Sequence, residues 1–307
     1  LSTTAKWRSL RRKRGGRSIV RDLEGKTAFV TGGAGGFGLE FARLFLDAGM
    51  NVALADIEAP ALAGALEQLK AEPRRLRGFK CDVADRGSVQ RAADDAIAAF
   101  GRVHLVCNNA GVGARPGGVD ELSEGQWNWV LSVNLMGVVH GVAAFLPHIR
   151  AHGEGGHFLN TASMAGMLGQ PLDGPYSASK AAVVGLTETL FYELRGTNIG
   201  VSVLCPGFAR TGIASSERNA PAGLAEKAGA PVSAALAARA AQLRDFVAGG
   251  IAPAEVAARA LQGILDGDLY IFTHPDMRPM LDKRLARIGA AYDKAERFRP
   301  AGGAAIA

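Results

Sequence analysis

Cysteine is scarce, since Cys81, Cys107 and Cys205 are the only three in 307 residues and none belongs to a CxxC pair. Such an odd, widely spaced set offers neither a disulfide framework nor a zinc site, and it fits small core residues in a reducing compartment, so a cytoplasmic location is expected. His140, His157 and His274 lack a carboxylate or second histidine at ligand spacing, and no metal is expected. A secretory hydrophobic stretch is missing as well. Acids are absent from the first 21 residues, which hold eight Lys and Arg, whereas the rest of the chain nets −2. The overall charge of +6 therefore belongs to a tail, and it gives no warrant for a nucleic-acid groove. Segment 1–22 reads as a basic extension: either a solvated arm, or upstream sequence from a misplaced start, or an Arg- and Ser-rich transit peptide.

Charge is also missing from 125–149, a length that would span a bilayer. Gln126, Asn128, Ser132, Asn134, His140 and Pro147 would be costly in lipid, so a long buried helix and no membrane partner are expected. No repeat or interdomain linker is visible. With 48% hydrophobic residues, the chain can bury a sizeable core.

Short apolar runs at 27–31, 51–56, 77–81, 105–108, 157–161, 200–204 and 269–272 alternate with helical patterns, the mark of repeated βαβ units. The expected fold is α/β, a doubly wound seven-stranded parallel sheet in one domain over 23–275, with a helix and tail over 276–307. The long fourth helix is expected over roughly 123–151, with Asn134 as a relay residue or a helix-bending polar one. Ala-, Gly- and Pro-rich residues at about 212–250 form an insertion, read as a helical lid on the ligand side or as plain packing.

After the first strand comes Thr31-Gly32-Gly33-Ala34-Gly35-Gly36-Phe37-Gly38, running into a helix. Such a turn lets backbone N–H groups approach a pyrophosphate at the helix N-terminus. Asp56 ends the second strand, 18 residues after Gly38, where a carboxylate meets the adenosine ribose. Its charge opposes a 2′-phosphate, and neighbouring Ile57 supplies no cation, so NAD is expected over NADP. Tyr176 and Lys180, spaced i to i+4, share a helix face, where an ammonium and an oxidised nicotinamide would favour the phenolate.

Together these motifs resemble the short-chain dehydrogenase/reductase family over residues 24–272. The resemblance rests also on Cys81-Asp82-Val83, Asn108-Asn109-Ala110-Gly111, Asn134, Ser163 and Pro206-Gly207 with Thr211. It implies Tyr176 as proton exchanger, Ser163 as its hydrogen-bonding partner on the substrate oxygen, Lys180 on the nicotinamide ribose, and Asn134 holding a relay water. It implies a cofactor cleft of Gly32, Gly35, Gly36, Phe37 and Gly38, with Asp56, Ile57, Asp82 and Val83 about the adenosine. Asn109, Ala110 and Gly111 would line its middle, with Pro206, Gly207, Phe208 and Thr211 towards the carboxamide. Phe37 and Ala209 depart mildly from the family pattern.

Gly113, Met164, Ala165, Met167, Leu168, Leu172 and Phe208 would form a mostly apolar substrate pocket. That favours a hydrophobic secondary alcohol or ketone, and a narrower likeness points to bacterial benzylic or cyclic alcohol dehydrogenases. An NAD-sensing protein without catalysis is the alternative, and the family implies a homodimer or homotetramer.

Overall fold

The strands form where short β-branched and apolar runs can be covered on both faces, and the computed structural model describes them within residues 22–224 and 233–296. Residues 1–21, 225–232 and 297–307, which carry the basic extension, the middle of the insertion and the tail, lie outside the described residues. β1 (Thr27–Thr31), β2 (Asn51–Asp56), β3 (Leu76–Lys80), β4 (Leu105–Asn108), β5 (Gly156–Thr161), β6 (Ile199–Cys205) and β7 (Tyr270–Phe272) make one sheet. All neighbours are parallel, in the order β3-β2-β1-β4-β5-β6-β7. The order reverses between β1 and β4, which opens a crevice at the carboxyl ends of the strands.

Alternate side chains of β1 enter two cores. Ala28 and Val30 join Phe41, Phe45 and Leu261 on one face, and Phe29 joins Val89, Phe145 and Phe158 on the other. The Phe29 and Phe145 rings lie 4.6 Å apart, and truncating such a buried ring typically costs about 3–5 kcal/mol.

α1 (Gly36–Asp47), α2 (Ala59–Leu69) and α3 (Arg86–Phe100) follow the first three strands. α4 (Glu124–Leu131) starts with a Ser123–Gln126 capping box and passes through a π-helical turn, Ser132–Met136, into α5 (Gly137–His152). The expected long helix is present with a π-helical turn at Asn134, whose side chain bonds to other elements. The run Glu124–His152 is long and apolar enough to cross a membrane, yet Val130, Asn134, Gly141, Phe145 and Ile149 are buried within the protein.

α6 (Met164–Met167) and α7 (Gly174–Glu193) follow β5. After β6 come a 3-10 helix (Gly212–Asn219), α8 (Ala234–Ala248) and α9 (Pro253–Asp266), which packs on α1. α8 buries none of its residues, as expected of a helix lying over the surface. This compact unit ends at Thr273. The residues from His274 form a second one, a 3-10 turn (Pro275–Met277) and α10 (Arg278–Glu296), with an Arg278–Asp282 ion pair one turn apart.

Candidate active site

Thr31 ends β1, and its hydroxyl organises the nucleotide end of the crevice. Oγ1 accepts from the N–H groups of Asn109 (2.9 Å) and Ala110 (3.0 Å), and Asn109 Nδ2 donates back to the Thr31 carbonyl at 3.0 Å. The Gly-rich turn and the loop after β4 are thereby locked together. Gly32 has φ +63°, and a Cβ there would lie 2.9 Å from Ala110 Cα, so only glycine fits. Gly38 is pressed as closely on the Gly32 carbonyl, and Gly36 faces Thr211.

Above Gly35 the space is open. It caps α1 without a side-chain acceptor, and the first turn of α1 holds no acid, which leaves the positive end of the helix to an anion. Phe37 packs against the core beneath. Asp56 accepts from Ala34 N–H (2.9 Å) and Glu58 N–H (3.0 Å), fixing its carboxylate at the end of β2. Ile57 is exposed beside it. Asp82 accepts from Ala84 N–H at 2.9 Å, and buried Val83 meets Gly137 and takes a hydrogen bond from His140.

At the other end, Ser163 caps α6, its Oγ accepting from Ala165 N–H (3.0 Å) and reaching the Pro206 carbonyl (3.4 Å). The same hydroxyl lies beside Tyr176, in the first turn of α7, and favours its ionised form. One turn on, buried Lys180 donates from Nζ to the Thr161 carbonyl at 2.8 Å and lies 5.6 Å from the centre of the Tyr176 ring. Asn134 Oδ1 accepts from Val112 N–H (2.8 Å), while its Nδ2 donates to the Val112 carbonyl and to Ser179 Oγ (each 3.0 Å). Ser179 Oγ in turn donates to the Tyr176 carbonyl at 2.7 Å. A Cβ on Gly111 would sit 3.3 Å from both Asn134 Oδ1 and Lys180 Nζ, so the chain that lines the crevice passes directly against this group.

Burial dominates the electrostatics here. Desolvation pushes the Tyr176 phenol up to about 12, against the pull of the Ser163 hydrogen bond and helped by the charge of Asp173. Burial brings Lys180 down to about 8. In the protein without cofactor the amine therefore titrates below the phenol.

The loop after β6 contributes buried Pro206, whose carbonyl accepts from Met164 N–H at 2.8 Å, then Gly207, Phe208 and Thr211. Thr211 caps the 3-10 helix, and Ser216 within that helix accepts from Gly113 N–H at 3.0 Å. Met164, Ala165 and Leu168 are buried, Met167 is half-buried, and Leu172 and Phe208 are exposed. Phe208 lies 5.0 Å from Phe246 of α8, ring to ring.

Sequence reasoning missed Ser179, Ser216, Asp173 and Arg218. Asp173 reads as an ordinary helix cap, and Arg218 pairs with Glu58 (2.7 Å) from 160 residues away, so neither leaves a local signal. Among the described residues, no group of three or more His, Cys, Asp or Glu is placed to hold a metal.

Residues 26–222 match the model of the family described as short chain dehydrogenase. A C alpha-dehydrogenase of Sphingobium sp. is 34% identical over 270 residues, 88% of this chain and 87% of that protein. A 3beta-hydroxysteroid dehydrogenase of Eggerthella lenta is 35% identical over 191 residues, covering 62% of this chain and 74% of its own. Among solved structures, a short chain dehydrogenase/reductase from Burkholderia phymatum in complex with NAD is 40% identical and superposes with a TM-score of 0.82, covering 93% of this chain and 99% of that one. With the sheet order, the Gly-rich turn and the Ser163–Tyr176–Lys180 group already in place, these likenesses show that the chain belongs to the short-chain dehydrogenase/reductase family of oxidoreductases.

Proposed function

We propose that this protein transfers hydride between NAD(H) and a hydrophobic secondary alcohol or its ketone, with Tyr176 exchanging the proton. One observation carries the reading: Ser163, Tyr176, Lys180 and Asn134, from three separate segments, meet where Gly111 brings the wall of the nucleotide crevice against them. The residues present fit the cofactor. Gly35 leaves open space over an uncapped helix N-terminus for a pyrophosphate, and the pinned Asp56 carboxylate can accept from ribose hydroxyls. Asp82 and Val83 would flank the adenine, Asn109, Ala110 and Gly111 the middle of the cofactor, and Pro206, Gly207 and Thr211 the nicotinamide.

NAD, when bound, supplies the hydride acceptor. The chain's own work is to hold and move a proton. Ser163 donates to the substrate oxygen and stabilises its developing charge, and Tyr176 takes or returns the proton at the same atom. Lys180 binds ribose hydroxyls through Nζ, and Asn134 holds the backbone of Val112 and the Tyr176 turn in register. The expected pocket of Gly113, Met164, Ala165, Met167, Leu168, Leu172 and Phe208 is apolar, and the steroid named for one relative is a hydrophobic alcohol of this class. The 212–250 insertion would act as its lid. A homodimer or homotetramer is the assembly we favour, with exposed Met136 and Tyr192 available for contact. Three buried free cysteines accord with a cytoplasmic setting.

The test is Tyr176→Phe, assayed by reduced-cofactor absorbance over a panel of secondary alcohols, with NAD binding measured separately. Turnover should vanish while binding persists. Unchanged behaviour in the variant would point instead to a sensor.

A further inference from the structure

At the amino ends of β1 and β4, opposite the crevice, two backbone N–H groups are satisfied by histidine rings rather than by the sheet. Thr27 N–H donates to His104 Nδ1, and Val103 N–H donates to His148 Nε2 near the end of α5, each at 3.2 Å. Thr27 and Val103 are buried, so neither N–H can turn to water if its acceptor is lost. A ring nitrogen that accepts from an N–H carries no proton, so both imidazoles are neutral in this arrangement. His104 keeps its proton on Nε2 and donates it to Glu154 at 2.8 Å, while its own backbone N–H donates to the Thr27 carbonyl at 2.9 Å. His152, one turn beyond His148, has its ring centre 5.1 Å from each of the other two and donates from Nε2 to the Val103 carbonyl at 3.0 Å. Both polar groups of the Val103 backbone are thus held by side chains of α5.

We infer that His104 and His148 form an acid-sensitive latch: as neutral rings they fasten the end of α5 to the entries of β1 and β4, and protonation of either releases this corner while the crevice end of the sheet stays folded. An imidazolium is a donor at both nitrogens, so it would turn an N–H towards a buried N–H. The charges around the corner act in the same direction. Lys26 before β1 and His152 on α5 both oppose a positive His104, and His152 opposes a positive His148. Glu154 favours a charged His104, but Lys26 (2.7 Å) and Arg102 already pair with it. His157, which starts beside His104 on the next strand, bonds its ring to Ser202 Oγ instead. Burial is the largest influence on both latch residues and holds each below the ordinary histidine value. The closure they provide is therefore complete above about pH 6.5 and lost as pH falls below it. Glu154 is held down to about 2, chiefly by its bond from Lys26, and keeps its charge throughout this range.

The experiment is amide hydrogen exchange of the full chain, resolved to single amides and expressed as protection factors, at about pH 7.5 and about pH 5.5. Each histidine that must take up a proton on release lowers protection about tenfold between these values. Thr27 and Val103 should therefore lose about a hundredfold, whereas Asn109 and Ala110 at the crevice should keep their protection. In His148→Gln the side-chain oxygen can accept where Nε2 does and does not titrate, so protection at neutral pH should persist and the acid loss should shrink to about tenfold. His104→Asn, whose oxygen stands in for Nδ1, should shrink it likewise, and a thermal melt shows that each variant is folded. Equal protection of Thr27 and Val103 at the two pH values in the wild type overturns the latch. So does an acid loss of wild-type size in both variants, or a loss spread evenly over the whole sheet.

Discussion

Replacing Asp56 by alanine tests the cofactor end of the site most directly. The carboxylate cannot swing away from a 2′-phosphate, because Ala34 N–H and Glu58 N–H hold its two oxygens at 2.9 and 3.0 Å. A phosphate brings about −1.5 to −2 charges, and at about 4 Å and an effective dielectric of about 20 each unit pair costs about 4 kcal/mol. Halving this for solvent at a half-buried carboxylate leaves about 3 kcal/mol, or roughly a hundredfold preference for NAD. In Asp56→Ala the preference should fall by about that factor, because the charge is gone and two backbone donors are freed for the phosphate. Adding Glu58→Gln should carry the change further, since it releases the Arg218 guanidinium now paired with Glu58 at 2.7 Å. Calorimetric Kd values for both cofactors, in wild type and variants, decide the matter. Equal wild-type affinity for NADP and NAD, or a loss on both cofactors with an unchanged ratio in Asp56→Ala, would refute the argument.

Other outcomes follow from the same geometry. Gly111→Ala should lower kcat/KM by about tenfold or more at little change in melting temperature, since its Cβ would displace Lys180 Nζ and Asn134 Oδ1, each 3.3 Å away. A preserved kcat/KM would show that the contact is slack. In the cofactor-free protein, ultraviolet titration should find no phenolate from Tyr176 below pH 9, because desolvation holds it near 12; a lower-titrating phenol that disappears in Tyr176→Phe would contradict this. Acid should destabilise the fold through His157, buried beside Ser202 Oγ (2.9 Å) and pushed down to about 3 by desolvation. A depressed histidine contributes stability that is complete above its unfolded value of about 6.5 and is lost as pH falls towards the folded one, about 2 kcal/mol of it by pH 5. Urea midpoints at neutral pH and at pH 5 should therefore diverge less in His157→Asn, and an identical divergence would exclude His157 as the source.

Much of the sheet was legible because its strands are buried on both faces and so read as continuous apolar runs. β1, β2 and β4 coincide with the expected 27–31, 51–56 and 105–108, and the others shift by a residue or two at their ends. The long helix was harder. Its π-helical turn at Ser132–Met136 exists because Asn134 is pulled towards Val112 and Ser179, partners that no helical periodicity announces. Gly32 and Tyr176 were found because close approach and helix spacing restrict which residue types fit, whereas Asn109 was found through the family resemblance. Asp173 and Arg218 were not, since each has an ordinary local sequence and takes its character from segments far along the chain.

Least legible of all was the order in which the two central groups ionise. Spacing of i to i+4 brings Lys180 to the Tyr176 ring, and a contact of 5.6 Å suggests mutual stabilisation of ammonium and phenolate. Yet desolvation acts on both groups at once and in opposite directions, lifting the phenol to about 12 and lowering the amine to about 8. An ion pair forms only if the acid titrates below the base. In the protein alone the two groups therefore sit together without forming an ion pair, and under the proposed function the phenol would be activated by hydrogen-bond acceptors at Nζ and positive charge brought by the cofactor.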